Sequence, residues 1–272
     1  MVSQASRFRL DDRLVNTLRR ASTVCAVRDN DGIEVLMVRR TLTAKFMPGV
    51  WVFPGGAVDD EDARAPASFG GNYDGSEWKV AALRELIEET GLWLTSAGTV
   101  SAPLTEDAFG AVEASDHMLD PDLLIYFANW VTPEVFPIRF DARFFLAVVD
   151  SDTNAVVDGK ELIDLAWIPP LEALERDVDQ DWVIPFPTMQ TLNLLASEST
   201  TPALASRLRS LDGVLPVEPR LFVGDGEVKL LLPTDDGFDA AGQDQHDPTL
   251  LQRLAIVVQK GGRVPVEWRY RP

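Results

Sequence analysis

Residues 78–92 read WKVAALRELIEETGL, and this segment indicates more about the structure of the chain than any other. At about 100° per residue, its larger apolar side chains fall on one side of a helix, and they are Val80, Leu83, Leu86 and Ile87. Either Ser76 or Asp74 can cap the start, and Gly91 can take the left-handed conformation that ends a helix. The pattern therefore predicts one amphipathic helix that ends at Gly91.

The opposite face of this predicted helix carries Glu85, Glu88 and Glu89. Glu85 and Glu89 repel each other at i,i+4, and anions near the carboxyl end of a helix oppose its macrodipole. A bound Mg²⁺ or Mn²⁺ ion would make the cluster favourable, because hard divalent cations prefer oxygen ligands. A solvated acidic face is the alternative, and the spacing alone leaves both interpretations open.

The segment resembles the second half of the Nudix box, the metal-binding helix of the Nudix hydrolases, in the run Arg84-Glu85-Leu86-x-Glu88-Glu89-x-Gly91-Leu92. The family's strand end and Gly-Gly turn are similar to the upstream run Phe53-Pro54-Gly55-Gly56. Two features depart from the family pattern. The connecting loop, residues 57–76, is unusually long, and Ser76 replaces the first box glutamate, with Glu77 one place away.

The composition is that of a globular protein with a large acidic excess. Of 272 residues, 46% are hydrophobic and 25% are charged, and the formal net charge is −18. Such a surface repels nucleic acid, and no basic cluster offsets it. It also repels an anionic small molecule, unless a metal ion and a few arginines reverse the potential locally.

The sequence predicts neither a membrane segment nor a disulfide. No apolar run reaches the length that spans a bilayer, and residues 1–10 lack the apolar centre of a signal peptide. Cys25 is the only cysteine and lies in an apolar run, so we expect a buried strand residue rather than a nucleophile. These features favour a cytoplasmic protein without a membrane partner.

Alternating and β-branched segments predict the strands. Residues 21–28 and 34–40 are expected to form a hairpin around the turn at 29–32. A second hairpin is expected at 220–232, with its turn at Gly224-Asp225-Gly226-Glu227.

Further helical material is predicted in several places. Residues 1–20 are expected to form an N-terminal arm or short helix, and residues 105–129 a small helical region in which Asp120 is a cap. The strand that ends in Trp167-Ile168-Pro169 is expected to lead into a helix at residues 171–174, and further helices are expected at 185–197 and 201–211.

Residues 46–62 resemble the long-insert branch of the family, which includes coenzyme A diphosphatases and is related to the peroxisomal mammalian enzyme. This resemblance implies that the backbone of Gly55 and Gly56 faces phosphate or metal, since glycine allows close approach. Phe53 is a candidate substrate contact or a core residue. The insert is small, acidic and Gly-rich, which predicts a surface loop. Its carboxylates either reach the metal site or are solvated, and we expect most of them to be solvated.

Three arginines are candidates for contacts with substrate phosphates. Arg40 ends a predicted strand, and the alternative is a solvated strand-end residue. Arg139 and Arg143 lie in a run that resembles the same branch, where this strand borders the substrate pocket. An ion pair with a nearby carboxylate is the alternative for each.

Together these features predict an α+β protein with the Nudix fold, a mixed, curved β-sheet sandwiched between helices. We expect an arm over residues 1–20, the Nudix domain over 21–200 with the insert 57–76, and a C-terminal extension of helix and β-hairpin over 201–272. The extension is expected to pack on the core or to mediate a homodimer.

The resemblance implies hydrolysis of a diphosphate linked to another moiety, with Mg²⁺ or Mn²⁺ held by Glu85, Glu88 and Glu89. Either Glu88 or Glu89 would take the proton from water, and Arg84 would orient a neighbouring glutamate. The preferred substrate is coenzyme A or an acyl derivative.

Two alternatives remain. One is a Nudix hydrolase of ADP-ribose, dinucleotides or nucleoside triphosphates. The other is a non-catalytic nucleotide sensor or scaffold, which the missing first glutamate favours and the three clustered carboxylates oppose.

Overall fold

The computed structural model of this chain describes residues 18–70, 75–134, 136, 138–224 and 227–239. Most of the predicted N-terminal arm, residues 1–17, lies outside the described residues, as does the end of the predicted extension, residues 240–272.

Twelve strands and five helices make up the described part of the chain. The strands are β1 (Leu18–Asp29), β2 (Ile33–Arg40), β3 (Trp51–Val52), β4 (Gly55–Ala57), β5 (Leu92–Thr95), β6 (Gly98–Ser101), β7 (Ile125–Val131), β8 (Arg139–Val148), β9 (Leu162–Ile168), β10 (Pro216–Val217), β11 (Arg220–Gly224) and β12 (Glu227–Leu231). The helices are α1 (Glu77–Thr90), α2 (Ala108–Glu113), α3 (Pro170–Val178), α4 (Phe186–Leu195) and α5 (Thr201–Arg209).

A mixed sheet of eight strands forms the centre, in the order β10-β7-β8-β1-β2-β3, with β4 paired to β1 and β9 to β2. Strand β1 lies in the middle of this sheet and runs parallel to β8 along Leu18–Val27. On its other edge β1 pairs first with β4, at Ala21–Thr23, and then with β2, at Val27–Asp29. The Gly-Gly strand β4 therefore lies beside the middle of the sheet.

Helices cover both faces of this sheet, as the α+β prediction required. Successive residues of a strand point to opposite faces. Val24 packs with the apolar side of α1, whereas Cys25 packs on the other face with α4 and α5, through residues that include Leu192 and Leu204. Each face thus has its own core, and the prediction that Cys25 is buried is confirmed.

Helix α1 forms where the periodicity predicted it. It ends at Gly91, which has φ of +70° and donates its N–H to the carbonyl of Ile87. Ser76 occupies the N-cap position, but its side chain makes no capping hydrogen bond.

The helical region predicted up to residue 129 is wrong in its second half. Helix α2 and one 3₁₀ turn at Pro121–Leu123 are present, and Asp120 caps that turn by accepting from the N–H of Asp122. The chain then becomes β7, in which Ile125 and Phe127 are buried. The aromatic and branched residues of this segment favour a strand, and pairing with β8 decides the outcome.

Where the insert is described, three of its four carboxylates are exposed, as expected, but the loop is anchored at two buried residues. It forms 3₁₀ turns at Asp62–Arg64 and Ala67–Phe69, and both Asp62 and Phe69 are buried. The ring of Phe69 lies 4.8 Å from that of Phe109. A single aromatic residue in a polar loop has no periodicity, so the pattern did not reveal this anchor.

The C-terminal extension packs on the domain. After α5, strand β10 runs parallel to β7 at the edge of the central sheet. The hairpin predicted at 220–232 is confirmed by the antiparallel pairing of β11 and β12.

Among the described residues, no helix combines the length and apolar character that crossing a membrane requires.

Replacing Phe69 by alanine tests whether the insert belongs to the core. Because the ring is fully buried, Phe69→Ala should lower the free energy of unfolding by roughly 3–5 kcal/mol in urea denaturation. Leu42→Ala is the control, because Leu42 is 67% exposed and should change stability by less than about 0.5 kcal/mol. Equal, small effects of both variants would show that the insert is not part of the core.

Candidate active site

The carboxyl-terminal half of α1 lies against the Gly-Gly strand. The Oε2 atom of Glu89 accepts a hydrogen bond of 2.8 Å from the N–H of Gly55. At Gly56, an added Cβ would lie 2.4 Å from Oε1 of Glu85. A side chain at Gly56 would therefore force the carboxylate of Glu85 to move away from the strand.

Gly55 is required for a second reason. Its φ is +151°, and a Cβ there would lie 2.3 Å from the carbonyl oxygen of Ser22 in β1. The two glycines therefore lie directly between β1 and the carboxylates of α1.

Arg84 connects the helix, the insert and the strand. Its Nε and Nη2 atoms donate to the two carboxylate oxygens of Asp62, at 2.8 and 3.1 Å, and Nη2 also donates to the carbonyl of Ala57, at 2.8 Å. Its Nη1 atom donates to Oε1 of Glu85 at 2.8 Å and to Oε2 of Glu88 at 3.2 Å. One guanidinium thus fixes two of the three glutamates.

Glu88 also contacts the segment that follows. Its Oε1 atom accepts from the N–H of Ala108, the first residue of α2, at 3.4 Å. Helix α2 therefore helps to hold the carboxylate of Glu88 in place.

The cluster contains more negative charge than Arg84 balances. Burial raises the pKa of Glu85 to about 7, although the charge of Arg84 acts in the opposite direction. Burial raises the pKa of Glu89 to about 8, and the neighbouring charge of Glu85 raises it further. The pKa of Glu88 is also raised, again chiefly by burial. The site therefore favours either protons or an additional cation.

The donor set fits a hard divalent cation in its chemistry. Carboxylate oxygens are the preferred ligands of Mg²⁺ and Mn²⁺, and a buried excess of negative charge calls for such an ion. Within the part of the chain that the structure describes, no three acidic, histidine or cysteine side chains already surround one point. Glu85 and Glu88 both turn toward Arg84, so they would have to turn from it toward Glu89 to share an ion.

The missing first glutamate of the motif is not replaced by its neighbours. Glu77 forms an ion pair of 2.9 Å with Arg20, and Ser76 is buried at the start of α1. Asp62 binds Arg84 instead, from within the insert. Sequence reasoning missed this role, although Asp59-x-x-Asp62 belonged to the run that resembled the long-insert branch.

A cavity of about 900 Å³ lies on the other side of the Gly-Gly strand. Its wall includes Gly55, Gly56 and Arg40, together with the phenylalanines Phe46, Phe53, Phe136, Phe140, Phe144 and Phe186. The wall is thus mostly apolar, with the glycine backbone and an arginine at the end nearest the glutamates.

Arg40 links the cavity to the carboxylates. Its Nε atom donates to the carbonyl of Phe46 at 3.2 Å, which fixes the guanidinium at the wall. Its charge also acts to lower the pKa of Glu89.

Phe53 is both a cavity wall and a core residue, because it is 3% exposed and contacts the ring of Phe144 edge-on. The predictions of a core residue and of a substrate contact are therefore compatible for Phe53.

The other two candidate arginines lie elsewhere. Arg139 pairs with Glu218 at 2.7 Å, and Arg143 stacks 3.9 Å from the ring of Trp78 on the α1 side of the sheet. Neither belongs to the wall of the 900 Å³ cavity. Strand alternation explains this result, because Phe140, Ala142 and Phe144 face the cavity and the residues between them face α1.

Comparison with known families gives a match to the NUDIX domain over residues 17–186. A Caenorhabditis elegans relative named nudix hydrolase 7 is 33% identical over 60% of this chain, which spans only 56% of that protein. The acyl-coenzyme A diphosphatase NUDT19 of Xenopus laevis is 24% identical over 85% of this chain and 79% of its own length.

Among solved structures, a NUDIX hydrolase from Alicyclobacillus acidocaldarius is similar, with a TM-score of 0.60 and 32% identity. The similarity covers 70% of this chain and 96% of that one.

The buried pair between Asp62 and Arg84 can be tested by Asp62→Asn. Removing one charge of a buried pair leaves the other uncompensated, so the free energy of unfolding should fall by about 3 kcal/mol. Asp60→Asn, two residues away and exposed, is the matched control and should change it by less than about 0.5 kcal/mol. Urea denaturation of both variants measures the difference, and equal effects would contradict the assigned role of Asp62.

Proposed function

Because the chain belongs to the Nudix family, whose members generally use divalent metal ions, we propose that it hydrolyses a nucleoside diphosphate linked to another moiety. The observation that supports this proposal is the placement of the glutamate cluster of α1, through Glu85 and Glu89, against the Gly-Gly strand, whose other side lines the cavity. The substrate would be an anionic, nucleotide-type small molecule.

Glu85, Glu88 and Glu89 would hold the ion, either Mg²⁺ or Mn²⁺, with the backbone of Gly56 beside them. When bound, such an ion neutralises phosphate charge and lowers the pKa of a water molecule. The protein's own contribution is to hold the carboxylates in a water-poor setting.

Glu89 is our choice for the proton acceptor. Arg84 engages Glu85 and Glu88 through charged hydrogen bonds, whereas Glu89 accepts from the neutral N–H of Gly55. Its carboxylate is thus less neutralised than the others and better able to take a proton from water. Arg84 would act as a positioning residue for the other two glutamates.

Arg40 would bind substrate phosphate. It lies on the cavity wall at the end where Gly55 and Gly56 expose their backbone, so a diphosphate there would meet a cation and backbone groups. These contacts would offset the repulsion expected from a net charge of −18. The positions of Arg139 and Arg143 lead us to propose structural roles for them instead.

Coenzyme A or an acyl-coenzyme A is the preferred substrate. The large apolar cavity beside the phosphate-binding end suits a substrate whose diphosphate carries a long, weakly polar group. The similarity to relatives named acyl-coenzyme A diphosphatase supports the same choice. ADP-ribose, dinucleotides and nucleoside triphosphates are the second class of candidates.

Replacing the proposed proton acceptor provides the first test. Glu89→Gln should lower the rate of metal-dependent hydrolysis by at least about 100-fold. Burial raises the pKa of Glu89 from 4.5 to about 8. The free energy of unfolding therefore falls as the pH rises from 4.5 to about 8, because ionising this carboxylate is harder in the folded state. The metal-free variant should therefore melt at the wild-type temperature or higher, and the gain should be largest at a pH above 8 and vanish below 4.5.

Glu77→Gln is the matched control, because Glu77 lies in the same helix but pairs with Arg20 away from the cluster. It should retain near wild-type turnover. Full turnover by Glu89→Gln would contradict the assignment of Glu89.

A substrate panel provides the second test. Coenzyme A, dodecanoyl-coenzyme A, ADP-ribose, NADH and diadenosine compounds would be incubated with the protein and Mg²⁺ or Mn²⁺, and the products separated by chromatography. We expect adenosine 3′,5′-bisphosphate together with phosphopantetheine or its acyl derivative. Turnover of ADP-ribose or dinucleotides alone would select the second class, and nucleotide binding without turnover would select a sensor.

A further inference from the structure

The C-terminal extension lies outside the matched family domain, which ends at residue 186. It nevertheless contacts the sheet in a specific way. Strand β10 continues the sheet, with Pro216 and Val217 opposite Asn129 and Trp130 of β7. The extension is thus part of the same sheet that carries the cavity.

An ion pair fixes the start of the hairpin. Arg139 donates from Nη2 to Glu218 at 2.7 Å and from Nε to the carbonyl of Thr132 at 2.9 Å. The Arg139 side chain is only 12% exposed, so this is a partly buried contact rather than a solvated one. It sets the position of the chain immediately before β11.

The hairpin itself forms one wall of the cavity. Pro219, Leu221 and Leu230 all line the space, and Leu221 is 8% exposed. All three are apolar, so this wall offers no partner for phosphate and suits an apolar group.

The distance between strand β10, which precedes the hairpin, and the Gly-Gly strand follows from the sheet register. One row of paired residues crosses five strands, and its members are Ala57, Ala21, Ala142, Trp130 and Val217. The first four of these line the cavity. Four strand spacings of about 4.8 Å place the extension roughly 19 Å from the Gly-Gly strand.

We propose that the hairpin β11–β12 determines which apolar group the substrate can carry, by closing the end of the cavity opposite the phosphate-binding end. A diphosphate at Gly55 and Gly56 would then direct a long, flexible, apolar group, such as the acyl end of a coenzyme A thioester, toward Leu221 and Leu230. This inference rests on the proposed function. It assigns selection by acyl length to residues outside the family domain.

Narrowing this end of the cavity tests the inference in the full-length protein. Leu221→Trp should lower the ratio of kcat/KM for dodecanoyl-coenzyme A to that for coenzyme A by at least about tenfold. The loss should lie mainly in KM, because the wall does not touch the reacting phosphates. Leu230→Trp should act in the same direction, which guards against a folding defect peculiar to one variant.

Leu215→Trp is the matched control in the same extension, because Leu215 is 83% exposed and does not line the cavity. It should leave the ratio unchanged. An unchanged ratio in both cavity variants, or the same loss for both substrates, would overturn the inference.

A binding measurement separates this inference from the proposed function. Dodecanoyl-coenzyme A would be titrated calorimetrically without metal, with coenzyme A as reference. One outcome is that Leu221→Trp binds the acyl compound roughly tenfold more weakly than wild type does, while neither protein turns it over. This result would support the role of the hairpin in binding the acyl group and contradict the proposed hydrolase function. If both proteins turn over the acyl compound and bind it equally well, only the proposed role of the hairpin is contradicted.

Discussion

The guanidinium of Arg84 holds together three segments that are separate in the sequence. It binds Asp62 of the insert, the carbonyl of Ala57 and two glutamates of α1. A charge buried to this extent is stable only when several partners compensate for its lost hydration. Asp62 supplies two of these hydrogen bonds from a loop that is longer than the family pattern. The positions of Glu85 and Glu88 relative to the Gly-Gly strand therefore depend on this one side chain, whereas Glu89 is held by the N–H of Gly55.

The Gly-Gly strand separates two different environments. On its α1 side lie carboxylates whose negative charge exceeds that of their single guanidinium partner, and on its other side lies a large apolar cavity. A side chain at Gly55 would clash with the backbone of Ser22, and one at Gly56 would displace the carboxylate of Glu85. A substrate with a charged diphosphate and an apolar extension would match both environments at once.

The sequence predicted the features that repeat or follow local rules. Helix α1 and its end at Gly91 followed from periodicity, and the α+β sandwich followed from the motif that α1 carries. Strand β7 was mistaken for helix because its pairing with β8 is a long-range contact. The roles of Asp62 and Phe69 were missed because each is a single anchor in a loop without periodicity. For Arg139 the sequence left a phosphate contact and an ion pair both open, because its partner Glu218 lies in a distant part of the chain.

The proposed activity requires that the glutamates of α1 hold a divalent ion beside the Gly-Gly strand. Anomalous diffraction from crystals of the protein with Mn²⁺ would locate that ion directly. We expect a manganese peak within coordination distance of carboxylate oxygens from Glu85, Glu88 and Glu89. Manganese bound only elsewhere on the acidic surface, with Arg84 still paired to Glu85 and Glu88, would contradict it.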